Sequence, residues 1–127
     1  WDVTYNTNLR GVFLMIKHMP KLLNPGGRFL AVGSSSYSLG RANYGAYSSS
    51  KSGLINLVQA AAAECPEFFI NVVSPQRART ALRTNNFSEQ ADLHGLLDAK
   101  VVSREILSVL PQEVSGLNFD VRVEFSA

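Results

Sequence analysis

Two short, almost wholly apolar runs, each preceded by a longer helical pattern, leave few folds open to this sequence. The runs are RFLAVG (28–33) and FFINVVSP (68–75), and such runs are typical of strands covered on both faces. Residues 8–23 and 44–64 carry apolar side chains at helical spacing, and Pro20 predicts a kink or an early end of the first helix. Strands that alternate with helices favour right-handed crossovers and hence a parallel sheet.

The rest of the chain continues this alternation. Residues 76–97 are polar, arginine-rich and unpatterned, which predicts a loop or a small mobile subdomain. Residues 98–110 have a helical pattern, whereas residues 117–125 alternate strictly between apolar and polar side chains. That alternation predicts an edge strand with one face open to solvent or to a partner. The sequence therefore predicts an α/β fold: the last three strands, with their helices, of an incomplete doubly wound, Rossmann-like parallel sheet.

Composition narrows the function classes. A formal net charge of +2 argues for neither nucleic acid nor a membrane surface as partner, and no apolar run approaches the roughly 20 residues of a membrane span. Cys65 is the only cysteine, so no internal disulfide can form and a reducing compartment is expected. The first residues lack the layout of a signal peptide, which predicts a cytoplasmic protein. His18 and His94 have no metal-ligand companions, so no metal site is predicted.

The segment YSSSK (47–51) carries the main chemical signal. Tyr47 and Lys51 are four residues apart, so on a helix both project from one face. A phenol beside an ammonium ionises more easily and can act as an acid/base at neutral pH. Taken alone, the pair is better explained as a half-exposed helix turn with two polar residues. Ser34 adds weight, because it lies thirteen residues before Tyr47 at the carboxyl end of the first strand, where open α/β sheets bind ligands.

Several motifs together resemble the short-chain dehydrogenase/reductase family over the whole chain. WDVTYNTNLRGVF is similar to the family's helix with a catalytic asparagine (Asn8), and RFLAVGSSS to its strand ending in a catalytic serine (Ser34). YSSSK resembles the Tyr-x-x-x-Lys signature, and SGLNFDVRV the last strand. INVVSPQRART resembles the Asn-x-x-x-Pro-Gly segment, whose later threonine falls on Thr80.

The resemblance implies an oxidoreductase that uses NAD or NADP to interconvert a small-molecule carbonyl and an alcohol. Tyr47 would be the acid/base, Ser34 would bind the carbonyl oxygen, and Lys51 would also bind the cofactor ribose. Asn8 would hold a water that relays protons towards Lys51, although it is also open to explanation as a helix cap. The family's pairing of the two long helices implies a homodimer or homotetramer. The expected cofactor-binding residues are Tyr47, Lys51, Pro75, Ala78 and Thr80.

Two departures qualify the resemblance. Gln76 stands where the family has glycine, which removes backbone freedom next to Pro75. No Gly-x-x-x-Gly-x-Gly loop occurs, so residues 1–127 are expected to be the C-terminal catalytic half of a single domain. The alternative is a non-catalytic dehydrogenase-like module that serves oligomerisation or supports a neighbouring domain.

Three arginines suggest the substrate. Arg77, Arg79 and Arg83 lie within seven residues, in the segment that covers substrate in this family. They are either the charges of a solvated loop or, with Ser34, part of a substrate site for an anion, because guanidinium groups match phosphate oxygens. SPQRARTALRTNNF also resembles the reductase part of bifunctional enzymes that form CDP-ribitol, which implies ribulose 5-phosphate as a substrate to test.

Overall fold

The computed structural model describes residues 1–81 and 96–122. Helical structure begins at Asp2 rather than at residue 8, in three successive pieces: α1 (Asp2–Tyr5), a π-helical turn (Asn6–Arg10) and α2 (Gly11–His18). A 3₁₀ turn, Met19–Lys21, follows and contains Pro20. The predicted early end of this helix is therefore confirmed, since proline cannot continue the α-helical hydrogen bonds.

Three strands, β1 (Arg28–Val32), β2 (Phe69–Pro75) and β5 (Asn118–Val121), form a parallel sheet in the order β1-β2-β5, with two short strands set apart. Strand β2 lies in the middle, with Val32 of β1 beside Val73 and Val121 of β5 beside Pro75. The predicted edge strand is confirmed for Asn118–Val121, while residues 123–127 lie outside the described residues. In the segment after β2, predicted to be a loop or a small mobile subdomain, β3 (Ala78–Arg79) pairs in parallel with β4 (Leu97–Asp98).

Helices cover both faces of the central strand. Alternate residues of β2 point to opposite sides, and Ile70 and Val72 pack with Leu54 and Val58 of α3 (Gly45–Glu64). Val73 packs on the other side in a cluster with Val121 and with Val109 of α4 (Ala99–Val109). This arrangement confirms an α/β sheet of the doubly wound, Rossmann-like type. Full burial of each such aliphatic side chain contributes about 1.5–3 kcal/mol.

Buried polar side chains fix the edge of the sheet at β5. The Asn71 amide donates to the Val114 carbonyl (2.7 Å) and accepts from the Leu117 N–H (3.0 Å). The Ser74 hydroxyl donates to Asn118 Oδ1 (2.6 Å). These hydrogen bonds help to fix the register of β2 against β5, so that the carboxyl ends of the two strands lie at the same edge of the sheet. Among the described helices, none combines the length and hydrophobicity that a membrane crossing requires.

Candidate active site

Ser34 lies at the carboxyl end of β1, where a tight backbone contact holds the chain. The Gly33 N–H donates to the Val73 carbonyl (2.7 Å), which extends the β1–β2 pairing to the residue before Ser34. Ser34 is itself extended (φ −167°, ψ 146°), and its Oγ accepts from the Ser36 N–H (3.2 Å). This bond caps a 3₁₀ turn, Ser35–Tyr37. Because Ser34 Oγ is the acceptor, its own proton remains free to donate to a ligand.

Tyr47 and Lys51 lie in the first turns of α3, which begins directly after Tyr44. The Lys51 ammonium donates to the Val32 carbonyl (2.9 Å), at the end of β1 and two residues before Ser34. The same nitrogen is 5.9 Å from the centre of the Tyr47 ring. Burial lowers the pKa of Lys51 below its ordinary value. The structure thus brings Tyr47, Lys51 and the end of β1 together through one half-buried cation.

Asn8 lies in the π-helical turn and reaches the same helix. Its side-chain amide donates to Ser50 Oγ (3.1 Å), and the Ser50 hydroxyl donates to the Tyr47 carbonyl (2.8 Å). Ser50 is fully buried. The chain Asn8–Ser50–Tyr47 ties the first helical segment to the turn that carries the proposed acid. Ser50 was not identified from the sequence; a small polar residue directly before Lys51 was the available signal.

The segment after β2 carries the other predicted residues. The Gln76 N–H donates to the Val121 carbonyl (2.8 Å), so the strand pairing continues past Pro75. Among the described non-glycine residues only Asn43 has a positive φ, so Gln76 does not need the freedom of glycine. Ala78 is half-buried in β3, and Thr80 is exposed just after it.

The structure describes two of the three arginines that were predicted to bind substrate. Arg77 is half-buried between β2 and β3, and Arg79 is exposed in β3. Within residues 1–81 and 96–122, neither guanidinium is paired with a carboxylate. Arg83 lies outside the described residues. In the described part of the chain, histidine, cysteine and carboxylate side chains form no group of three that could hold a metal ion.

Comparisons with curated proteins place these features in a family. Residues 1–117 match a family model described as Enoyl-(Acyl carrier protein) reductase. The bifunctional ribulose 5-phosphate reductase/CDP-ribitol pyrophosphorylase Bcs1 of Haemophilus influenzae is 40% identical over 119 residues, which cover 91% of this chain and 25% of that protein. (2S)-[(R)-hydroxy(phenyl)methyl]succinyl-CoA dehydrogenase subunit BbsD of Thauera aromatica is 35% identical over 86 residues, 65% of this chain and 34% of that one. The chain thus spans about a quarter to a third of these relatives.

Solved structures show the same fold. A short chain dehydrogenase from Burkholderia cenocepacia J2315 in complex with NADP superposes with a TM-score of 0.82 at 20% identity, covering 92% of this chain and 53% of that one. A short chain dehydrogenase from Shigella flexneri 2a strain 301, also complexed with NADP, gives 0.78 at 26% identity, covering 91% and 51%. The cofactor class expected from the sequence is the one that both neighbours hold. The chain belongs to the short-chain dehydrogenase/reductase family.

Proposed function

We propose that this chain is the catalytic half of an NAD(P)-dependent oxidoreductase that interconverts a carbonyl and an alcohol, with an anionic sugar phosphate such as ribulose 5-phosphate as substrate. One observation carries the proposal. The Lys51 ammonium is bonded to the Val32 carbonyl and lies 5.9 Å from the centre of the Tyr47 ring, at the carboxyl edge of the sheet where Ser34 also lies. A cation, a phenol and a hydroxyl at one edge are the groups that carbonyl reduction requires.

The residues at this edge fit the nicotinamide end of the cofactor. An ammonium has three donors, and only one of those on Lys51 is used by Val32. The other two suit the vicinal hydroxyls of a ribose. No glycine-rich loop of the family type occurs in the sequence, so the fit does not extend to the pyrophosphate. Lys51 and Tyr47 would hold the ribose, and Pro75, Ala78 and Thr80 are the other proposed cofactor-binding residues.

The bound nicotinamide supplies the hydride, and the chain supplies the proton and the orientation. The Ser34 hydroxyl, whose proton is free, donates to the carbonyl oxygen and fixes its position. Tyr47 gives its phenolic proton to that oxygen as negative charge develops there. The neighbouring Lys51 ammonium stabilises the resulting phenolate, and partial burial strengthens this attraction relative to water. Asn8 fixes the helix through Ser50; the relay of protons from a water held by Asn8 is part of the proposal.

The arginines favour an anionic substrate. Arg77 follows Pro75 at the same sheet edge, and its guanidinium is not neutralised by a carboxylate among the described residues. Each charge-assisted hydrogen bond to a phosphate contributes roughly 1.5–3 kcal/mol, or about ten- to a hundredfold in affinity. The Haemophilus influenzae relative is named a ribulose 5-phosphate reductase, which supports the same substrate class.

The experiment compares ribulose 5-phosphate with ribulose in the natural full-length protein, by following oxidation of reduced NAD or NADP. We expect Arg77→Ala, Arg79→Ala and Arg83→Ala, made singly, to raise KM for the phosphorylated substrate far more than for ribulose. Added salt should narrow the difference. Arg104→Ala, an exposed arginine on α4, is the matched control. If every replacement changes KM equally for the two substrates, the arginines only keep their segment solvated, and the proposal of an anionic substrate is wrong.

Assembly through the helical face is a second part of the proposal. Phe13, Leu14 and Met15 of α2 are exposed, beside an open groove of about 490 Å³ between the first helical segment and α3. Leu9 and Leu57 line this groove. Exposed apolar side chains beside an open groove favour an interaction site, and we propose a second copy of the protein as its occupant, giving a homodimer or homotetramer.

A further inference from the structure

A hydrogen-bonded cluster that the sequence did not suggest joins the Ser34 turn to the far strand. Tyr37 ends the 3₁₀ turn that Ser34 begins, and its hydroxyl donates to Asp120 Oδ2 on β5 (3.1 Å). The Arg122 guanidinium donates to the same oxygen (2.9 Å). Tyr37 and Asp120 are 83 residues apart in sequence. The bond therefore exists only because the sheet brings the two strand ends together.

The strand order determines the distance that the bond between Tyr37 and Asp120 spans. Strand β2 lies between β1 and β5, so Tyr37 extends past the carboxyl end of β2 to reach Asp120. Two strand spacings amount to about 10 Å. On the other side, the Ser52 hydroxyl of α3 donates to the Tyr37 carbonyl. The turn is thus attached to the helix one residue after Lys51 and to the opposite edge of the sheet.

Packing of its ring also holds the Tyr37 side chain in place. Its ring is half-buried against the core cluster that contains Leu54 and Val72, so ring and hydroxyl are fixed together. The Ser36 N–H of the same turn donates to Ser34 Oγ. In that bond the Ser34 oxygen is the acceptor, so the hydroxyl proton of Ser34 remains available to donate to a ligand. Any movement of the turn therefore changes the direction in which the Ser34 proton points.

We propose that Tyr37 and Asp120 are positioning residues, whose hydrogen bond holds the Ser35–Tyr37 turn so that Ser34 presents its proton to the substrate carbonyl. This inference rests on the proposed function, since it requires Ser34 to bind the reacting oxygen. Arg122, which donates to the same Asp120 oxygen, helps to orient that carboxylate. Tyr37 and Asp120 touch neither substrate nor cofactor in this role.

The test is a double-mutant cycle in the natural full-length protein, with carbonyl reduction as the assay. Tyr37→Phe keeps the ring and removes the hydroxyl that bonds Asp120 and also interacts with Arg122. We expect it to lower kcat about tenfold, less than the roughly 10²-fold that a misplacement of about 1 Å can cost. Asp120→Ala should match it, whereas Asp120→Asn retains an acceptor oxygen and should restore most of the activity. In a Ser34→Ala background, Tyr37→Phe should have no further effect, because the group that it positions is gone.

The outcomes separate the positioning role from the proposed function. Tyr5→Phe is the control, because it removes a phenol hydroxyl that makes no hydrogen bond in the described structure. A Tyr37→Phe protein with unchanged kcat, or with an equal loss in the wild-type and Ser34→Ala backgrounds, overturns the positioning role alone. If Ser34→Ala itself leaves kcat unchanged, both the proposed function and the positioning role are wrong.

Discussion

Replacing Gly33 by alanine tests whether packing at the end of β1 places the proposed catalytic serine. Gly33 is buried against β2, and an added Cβ would overlap Ser74 Oγ and lie only 2.8 Å from Val72 Cγ1. Both neighbours are fully buried, and the Ser74 hydroxyl is also held by Asn118 at 2.6 Å. Movement of Ser74 would disturb its bond to Asn118 on β5, and movement of the Val72 side chain would disturb the buried cluster that contains Leu54. The strain must therefore move the chain at Gly33, directly before Ser34.

The magnitude follows from the cost of overpacking a core. Extra atoms in a well-packed interior cost about 1–3 kcal/mol. For a domain of roughly 150–250 residues, each kcal/mol lowers Tm by about 2–4 °C, so Gly33→Ala should lower Tm by about 2–12 °C. A shift of Ser34 by about 1 Å would lower kcat by up to roughly 10²-fold. Stability and turnover should therefore fall together.

The assay combines thermal unfolding with turnover per folded protein, in the natural full-length protein. Gly45→Ala is the control, because nothing lies within 4 Å of the Cβ it adds at the first residue of α3. Ser74→Ala removes the overlapping hydroxyl, so Gly33→Ala should cost less in that background. If Gly33→Ala and Gly45→Ala have the same Tm and the same kcat, the packing argument is wrong.

Three further predictions concern Lys51, the cofactor and assembly. Burial lowers the pKa of Lys51 in the folded protein below its ordinary 10.5. Between these two pKa values the unfolded chain binds more protons than the folded protein does, so the free energy of unfolding rises with pH across that window. Lys51→Met should remove this slope in urea titrations while abolishing turnover; an unchanged slope would contradict the burial of the cation. The isolated 127-residue chain, which lacks the glycine-rich motif, should not bind NAD(P) tightly, and calorimetry giving a micromolar Kd would refute this. The natural protein should scatter light as a dimer or tetramer at high micromolar concentration and not as a monomer, because Phe13 and Met15 are exposed.

Sequence patterns predicted the main elements of the fold because each element buries a regular set of apolar side chains. The runs at 28–33 and 68–75 became β1 and β2, and the helical pattern of 44–64 became α3 almost residue for residue. The first helix was predicted to begin too late, because Asp2–Tyr5 has no buried residue and hence no apolar period to detect. Strands β3 and β4 were missed, since two residues are too few to show an alternation.

The residue types of the candidate site could be proposed from the sequence, whereas the contacts between them could not. The four-residue spacing of Tyr47 and Lys51 places them on one helical face from sequence alone. No pattern indicated that Lys51 bonds the Val32 carbonyl, because a backbone acceptor leaves no trace in the residue type. The contact of Tyr37 with Asp120 was equally hidden, since it depends on the sheet order across 83 residues.

The most direct test of the central claim is the turnover of Tyr47→Phe in the natural full-length protein, with ribulose 5-phosphate and with other carbonyl substrates that it accepts. Phenylalanine keeps the ring beside Lys51 and removes the phenolic hydroxyl with its transferable proton. We expect kcat to fall by about 100-fold or more, the scale of lost general acid catalysis. A Tyr47→Phe protein that turns over every accepted substrate at a rate near wild type would show that Tyr47 is not the acid.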